Sequence, residues 1–229
     1  MATDVAVVIP WRDGCPHRRD ALRWVTGRWA AEHPAWPVVI GTCPDGPWVK
    51  AAAVTDAMTH TSAEVVVVTD ADVWCDGIPA AVNAADSHGW AVPHLLVHRL
   101  DRDATNALTA GLGDTGGRDQ HPYAGYEGGG IVVLRRDAWQ EAPLDPRFTG
   151  WGQEDEAWAI ALRTLVGPPW RGTHDLIHLW HPPQDRLNRA VGSRDSIRLL
   201  RRYVDAHGDR AAMSALIEEA TSAVEPARP

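Results

Sequence analysis

Three short apolar runs, separated by two longer segments of helical composition, constrain the fold of this 229-residue chain more than any other feature. The runs and the helical segments alternate in the order Asp4–Ile9, Arg18–Glu32, Pro37–Gly41, Val49–His60 and Glu64–Thr69. A strand that is buried on both faces gives a continuous apolar run, and strands that alternate with helices form parallel sheets with right-handed crossovers. The pattern predicts an α/β fold with a mostly parallel central sheet flanked by helices.

The rest of the chain extends this pattern. We predict further helices at Asp76–Ser87 and Gln153–Val166, strands within His88–His98 with a break at Pro93, strands at Ile131–Arg135 and Leu176–Trp180, an irregular segment at Gly111–Gly125, and a helical tail at Arg194–Thr221. The length permits one large domain or a domain with a small extension. We expect an α/β domain over residues 1–183 and a C-terminal helical extension over residues 184–229 that packs on it.

Charge and hydropathy exclude two classes of partner. The formal net charge of -8 gives no general attraction for phosphate backbones, so we expect no general nucleic-acid binding. Any bound phosphate has to be held locally, which favours a metal bridge. No apolar run approaches the roughly 20 residues of a membrane span, and Asp4 precedes any apolar signal region, so we expect a cytoplasmic protein.

The triplet Asp70-Ala71-Asp72 follows the predicted strand Glu64–Thr69 directly. Ligands bind α/β sheets at the carboxyl ends of the strands, and carboxylate oxygens suit Mn2+ or Mg2+, which can bridge a diphosphate. A D-x-D triplet alone is equally typical of a solvated loop. Its position after a buried third strand favours a metal site.

A second constellation, T-G-W-G-Q-E-D-E at Thr149–Glu156, lies where a helix is predicted to begin. Its glycines let the backbone approach a ligand, and the indole of Trp151 offers a stacking face. Glu154 and Asp155 either complement the helix dipole, which is the ordinary explanation for acids in a first turn, or provide a general base.

A third constellation, L-W-H-P-P at Leu179–Pro183, follows the last predicted strand. A neutral imidazole at His181 could complete the coordination of a metal held by the two aspartates. His178 is the competing candidate. Alternation along a strand puts the two histidines on opposite faces, so we expect only one of them to be a ligand.

Five motifs follow one another along the chain: Ile9-Pro10-Trp11-Arg12, Thr69-Asp70-Ala71-Asp72, Glu127-Gly128-Gly129-Gly130, Phe148-x-x-Trp151-Gly152-x-Glu154-Asp155 and His181-Pro182. Their order resembles that of the GT-A glycosyltransferases related to β-1,4-galactosyltransferases, the polypeptide N-acetylgalactosaminyltransferases and bacterial chondroitin polymerase. The resemblance spans about Val5 to Pro183 and implies a GT-A fold, which is Rossmann-like.

The resemblance also implies a role for each matching residue. Nucleotide-sugar binding falls to Pro10, Trp11, Arg12, Lys50, Asp70, Ala71, Asp72, Gly129 and Gly130. Acceptor binding falls to Trp151, Gly152 and Glu154, catalysis to Asp155 and Glu154, and binding of Mn2+ or Mg2+ to Asp70, Asp72 and His181.

We therefore expect a metal-dependent glycosyltransferase that moves a sugar from a nucleoside diphosphate to an acceptor hydroxyl, with inversion and with Asp155 as general base. The resemblance favours a UDP-sugar, and the acceptor is a glycan, a protein or a small molecule. A retaining glycosyltransferase is the nearest alternative. A sugar nucleotidyltransferase and a non-catalytic carbohydrate-binding module are the others. Trp11-Arg12-Asp13-Gly14 is too short to match the glycine-rich phosphate loop that the former should have after its first strand.

Overall fold

The computed structural model describes residues 3–185, 187 and 192–222. Within this range the strands are β1 (Val5–Trp11), β2 (Val38–Thr42), β3 (Val65–Thr69), β4 (Val73–Cys75), β5 (Trp90–Arg99), β6 (Tyr123–Ala124), β7 (Ile131–Arg135) and β8 (Trp170–His178). The helices are α1 (Pro16–Glu32), α2 (Lys50–Thr59), α3 (Ile78–His88), α4 (Arg102–Thr109), α5 (Arg136–Glu141), α6 (Glu154–Leu165), α7 (Arg194–Asp205) and α8 (Arg210–Ser222).

The strands form one mixed sheet in the order β2-β1-β3-β7-β5-β8-β4, with β6 paired to β5. Strand β1 is parallel to β2 and β3, and β5 is parallel to β8, whereas the other pairs are antiparallel. Five of the eight strands, namely β1, β2, β3, β5 and β8, therefore run in the same direction. The expectation of a mostly parallel α/β sheet flanked by helices is confirmed.

The valine run of β3 shows how the sequence builds two core layers. Val66 and Val68 face the layer that contains α2, α5, α6, α7 and α8, whereas Val65 and Val67 face the layer that contains α1, α3 and α4. Because side chains alternate along a strand, a strand covered on both sides needs an apolar residue at every position. This requirement explains why the strand reads as a continuous run.

The predicted break at Pro93 is wrong, since β5 runs without interruption from Trp90 to Arg99. Its pairing with β8 shifts register between Val92 and His94, and a bulge is one of the few places where a strand accommodates a proline. A Cβ on Gly172 would lie 2.1 Å from the Pro93 carbonyl oxygen, so a glycine is required opposite.

Four short elements and one strand boundary differ from the predictions. Strand β4, helix α4, strand β6 and helix α5 have only 3, 8, 2 and 6 residues, which is too short for a periodic pattern to identify them. Strand β8 begins at Trp170 and ends at His178, whereas the prediction was Leu176–Trp180. The first half of β8 was not predicted because three consecutive exposed residues, Thr173 to Asp175, interrupt the alternation of apolar and polar residues that identifies a strand.

Helices α7 and α8 pack on α6 through a shared apolar cluster that includes Trp158, Tyr203 and Leu216. The Tyr203 hydroxyl donates a hydrogen bond of 2.8 Å to buried Asp145. Arg147 also donates to this carboxylate, at 2.7 Å.

The division of the chain into two units at residue 183 stays a prediction. Of these two units, residues 1–2, 186, 188–191 and 223–229 lie outside the described residues.

In the part of the chain that the structure describes, no helix is long and apolar enough to cross a membrane.

We predict that Tyr203→Phe lowers the free energy of unfolding by about 1.5–3 kcal/mol, because it removes a hydrogen bond to a buried carboxylate. Urea unfolding followed by circular dichroism measures the change. Tyr126→Phe is the matched control, since this side chain is 62% exposed and its substitution is expected to change stability by less than about 0.5 kcal/mol. Equal stabilities of the two variants would contradict the anchoring role of Tyr203.

Candidate functional site

The sheet topology brings the three sequence constellations to one edge. Strands β1, β3 and β8 run in the same direction, so the segments that follow them share an edge of the sheet. Two backbone hydrogen bonds join these segments: Leu179 N–H donates to the Asp72 carbonyl at 2.8 Å, and Asp70 N–H donates to the Gly130 carbonyl at 2.9 Å. The loop before β7 and the segment after β8 are thus both held against the D-x-D triplet.

Asp72, His178 and His181 form a cluster with the geometry of a metal site. One ligand atom from each residue lies within 4.8 Å of the others. The Asp72 carboxylate is 3.4 Å from Nε2 of His181 and 3.9 Å from Nε2 of His178, and its side chain is almost fully buried.

Both histidines are oriented by the backbone. Nδ1 of His178 lies 2.8 Å from the Leu179 carbonyl oxygen, and Nδ1 of His181 lies 2.7 Å from the Pro182 carbonyl oxygen. A carbonyl can only accept, so each Nδ1 carries a proton, and each Nε2 is turned towards Asp72. This is the arrangement by which protein carbonyls orient metal-binding imidazoles.

The charges of the cluster suit a cation. Burial raises the pKa of Asp72, but His178, Arg18, His181 and Arg99 outweigh this effect and lower the pKa to about 2. Burial lowers the pKa of His178 to about 4, so this imidazole is neutral at pH 7. The cluster therefore offers one carboxylate together with a neutral imidazole.

The cluster passes a further test as a metal site. Asp72 Oδ2 is buried and has no hydrogen-bond partner among the described residues, although Arg18 Nε lies 3.3 Å away. Arg18 supplies positive charge from one side, and the unfilled acceptor capacity of this oxygen is available to a cation. One carboxylate oxygen and two imidazole nitrogens are a donor set that Mn2+ accepts.

Two of the residues considered as metal ligands lie differently from the expectation. Asp70 lies outside the cluster and is ion-paired to Lys50. His178 lies inside it, so the expectation that His178 and His181 point in opposite directions is wrong. Strand β8 ends at His178, and the irregular backbone that follows does not keep the alternation of a strand.

Lys50 joins two of the predicted site residues. Its Nζ lies 2.7 Å from Asp155 Oδ1 and 2.8 Å from Asp70 Oδ1. Burial lowers the pKa of Lys50, but the carboxylates of Asp155, Asp70 and Glu154 more than offset this and raise it overall. The ammonium is therefore charged and shared between the D-x-D triplet and the first turn of α6.

At the start of α6, Glu154 is buried and Asp155 is half-buried, and the pKa of each carboxyl group is raised. Burial raises the pKa of Asp155, and Asp70 raises it further, while Lys50 partly offsets both. Burial and the neighbouring Asp155 likewise raise the pKa of Glu154. Within the described range, Glu154 Oε2 is buried without a hydrogen-bond partner.

The glycines before β7 make room for these acids. A Cβ on Gly128 would lie 2.0 Å from the Asp155 carbonyl oxygen, and a Cβ on Gly129 would lie 3.0 Å from Asp155 Oδ2. Gly130 adopts a φ of 70°, in the left-handed region that favours glycine. The E-G-G-G motif thus lets the backbone touch the Asp155 carboxylate.

Trp151 and Gly152 lie beside the acids, in the loop that precedes α6. The Trp151 indole stacks on Trp48 at 5.3 Å, and the Arg18 guanidinium lies 4.4 Å from its ring centroid. Because Arg18 also contacts Asp72, it connects the Trp151 loop to the histidine cluster. Gln153, at the helix N-cap, adopts a φ of 73° and accepts a 2.8 Å hydrogen bond from the Gly192 N–H.

Of the nucleotide-binding residues predicted at the end of β1, Arg12 contacts the loop between β2 and α2. Pro10 is buried, Trp11 is half-buried, and Arg12 donates to the carbonyl oxygens of Gly46 at 2.8 Å and Pro44 at 3.2 Å. Arg12 therefore holds the loop between β2 and α2. Ala71, the middle residue of the triplet, is buried.

Sequence reasoning missed Arg18, Trp48 and Arg99, and it set His178 aside. The H-L-W-H spacing of His178 and His181 is a signal that could have identified both imidazoles. Arg18 lies within an H-R-R-D run in which nothing distinguishes it from its neighbour.

No protein-family model matches the sequence, and no curated protein matches it. The structure is similar to the catalytic domain of Drosophila β1,4-galactosyltransferase 7 in complex with xylobiose, with a TM-score of 0.54 and 15% identity over 87% of this chain and 80% of that chain. Glucosyl-3-phosphoglycerate synthase from Mycobacterium tuberculosis gives a TM-score of 0.48 and 16% identity over 90% of this chain and 81% of that one. The first similarity identifies the fold, which is GT-A as expected.

We predict that Mn2+ binding depends on His178 and not on Asp70. Replacing His178 by Ala removes one of the convergent donors and should weaken Mn2+ binding by at least 10–100-fold, on the scale seen for perturbed metal shells. Asp70→Asn should retain Mn2+ affinity, and His60→Ala, at an exposed histidine, is the matched control. Isothermal titration calorimetry measures each affinity. Normal binding by His178→Ala, or its loss in Asp70→Asn, would contradict this ligand set.

Proposed function

We propose that this chain is a metal-dependent glycosyltransferase that transfers a sugar from a UDP-sugar to an acceptor hydroxyl with inversion at the anomeric carbon. One observation carries the proposal. On the same sheet edge of a GT-A fold, the Asp72–His178–His181 cluster is accompanied by a half-buried carboxylate, Asp155, that Lys50 holds to the D-x-D triplet.

The donor side of the proposed site is formed by the histidine cluster and its neighbours. Asp72, His178 and His181 would hold Mn2+ or Mg2+, which supplies charge stabilisation for a departing diphosphate. Arg18, buried beside Asp72, adds a permanent positive charge on the same side.

The remaining donor residues are proposed from the resemblance and from their positions around this edge. Pro10 and Trp11 would contact the nucleotide, and Arg12 would act indirectly by holding the loop between β2 and α2. Lys50 and Asp70 would fix the ribose side. The floor beneath the sugar would consist of Ala71, Gly129 and Gly130.

Asp155 is proposed as the general base. Burial makes its carboxylate more basic than an exposed aspartate, and Lys50 fixes one oxygen at 2.7 Å. The other oxygen, Oδ2, lies beside Gly129, whose lack of a Cβ leaves room for it. Asp155 would take the proton of the acceptor hydroxyl as the hydroxyl oxygen bonds to C1 and the bond from C1 to the diphosphate oxygen breaks.

The acceptor is proposed to bind against the loop before α6. The half-buried indole of Trp151 would contact the acceptor with the part of its surface that Trp48 and Arg18 leave exposed. Gly152 permits close approach of the backbone, and Glu154 supplies a buried carboxylate oxygen that lacks a protein donor among the described residues. The Drosophila catalytic domain with the same fold was crystallised with a sugar, xylobiose, which supports a carbohydrate substrate.

The sugar nucleotidyltransferase and the carbohydrate-binding module are less well supported. A nucleotidyltransferase needs free basic groups after the first strand, whereas Arg12 is used by the loop between β2 and α2. A binding module has no need for a buried lysine shared by two carboxylates, because burying a charge costs free energy that a functional requirement has to offset.

The decisive experiment is an assay of UDP-sugars with and without Mn2+. We expect Mn2+-dependent hydrolysis of one UDP-sugar and a Mn2+-dependent rise in melting temperature with the same donor, since a ligand that binds only the folded state stabilises it. NMR of the transfer product should show the inverted anomer. A retained anomer would reject the inverting mechanism, and inertness of every UDP-sugar in both assays would reject the proposed function.

We predict that Asp155→Asn reduces turnover about 10²–10⁴-fold, the usual contribution of a positioned general base. Donor binding should be nearly unchanged, because the histidine cluster is intact. Asp137→Asn, at an exposed aspartate on α5, is the control for loss of a carboxylate. Steady-state kinetics with the active donor measure the effect, and unchanged turnover would remove Asp155 from the role of base.

A further inference from the structure

A second cleft lies between α1 and α4, outside the site described above. It is an open cleft with a volume of about 450 Å³. Its walls combine one face of α1, one face of α4 and the segment after β8, and they include His17, Asp20, Trp24, Thr105, Asn106 and Trp180.

Helix α1 presents a polar and aromatic face to this cleft. His17, Asp20 and Trp24 are spaced by three and four residues, so they lie on one side of the helix. The core-facing side of α1 is formed by other residues, including Val25 and Trp29, which are fully buried. Trp24 is only half-buried, so part of its indole is left for the cleft.

Trp180 forms part of the wall opposite α1, and contacts with its neighbours fix its position. Its backbone N–H donates a 2.8 Å hydrogen bond to the Thr105 hydroxyl on α4. The His17 ring meets its indole edge-on at 4.9 Å, and the Arg102 guanidinium lies 5.4 Å from the ring. An aromatic surface that is fixed in advance binds a ligand with a smaller entropic cost.

The chemistry of the cleft matches an uncharged polar ligand. Asp20 and Arg23 neutralise each other at 2.9 Å, and the Arg102 guanidinium, the other charge named at this wall, lies against the Trp180 ring. Asn106 offers both a donor and an acceptor. Two half-buried indoles alternate with these polar groups, which suits a molecule with apolar C–H faces and several hydroxyls.

We propose that this cleft binds a neutral sugar residue. His17 and Trp180 are the chain neighbours of Arg18 and His181, so the cleft adjoins the histidine cluster. If the proposed transferase function holds, on which this second step rests, the cleft receives a remote unit of the acceptor. The acceptor is then an oligosaccharide or glycoconjugate.

The test is NMR of ¹⁵N-labelled indoles, without donor or metal, during titration with xylobiose, maltose, lactose and chitobiose separately. We expect at least one disaccharide to shift the Trp24 and Trp180 indole signals in a saturable manner. Trp24→Ala should weaken that binding by about tenfold or more, the loss typical of removing an aromatic anchor.

Two further variants distinguish binding in the cleft from effects on folding and from binding elsewhere. Asn106→Ala changes an exposed position, so it should weaken binding without affecting folding. Trp36→Ala removes a half-buried indole that stacks on His33 away from the cleft, and it should bind normally. Absence of shifts with all four disaccharides, or shifts that persist in both Trp24→Ala and Asn106→Ala, would overturn the proposal. Because donor and metal are omitted, this outcome is independent of the assay for UDP-sugar hydrolysis.

Discussion

The contact of one buried ammonium with two carboxylates organises this molecule. Lys50 begins α2, Asp70 follows β3 and Asp155 belongs to the first turn of α6, and the three meet within 2.8 Å of the lysine nitrogen. Burying one such charge without its partners would cost several kcal/mol, so the three segments are constrained to meet. The register of α6 against the sheet, and with it the position of Trp151, follows from this contact.

In the histidine cluster, a single buried carboxylate lies among neutralising groups. Asp72 faces the imidazole nitrogens of His178 and His181, and Arg18 is a permanent cation beside it. The same guanidinium lies on the face of Trp151, so the cluster and the loop before α6 share one side chain. The two halves of the site are therefore coupled through Arg18 and through Lys50, although they come from distant parts of the chain.

The predictions that succeeded depend on local patterns. The valine run of β3 had to be buried on both faces, and residues that follow parallel strands had to share an edge. Asp72 and His181 were predicted on this basis, and the structure brings them together. His178 was set aside because the alternation of side chains along a strand was assumed to continue to His181, whereas β8 ends at His178. Short elements such as α4 left no periodic pattern to read.

Composition, strand patterns and motif order were sufficient to predict the fold class. They also predicted the sheet edge at which the candidate site lies and most of the acidic residues near it. The reason is that burial and strand direction determine which residue types follow one another along the chain. Which acid joins the histidine cluster and which pairs with a lysine was decided only in three dimensions. Asp70 and Asp72 are two residues apart, yet one contacts Lys50 and the other faces two imidazoles. Charge pairing acts through space, and no local pattern in the chain specifies the partner.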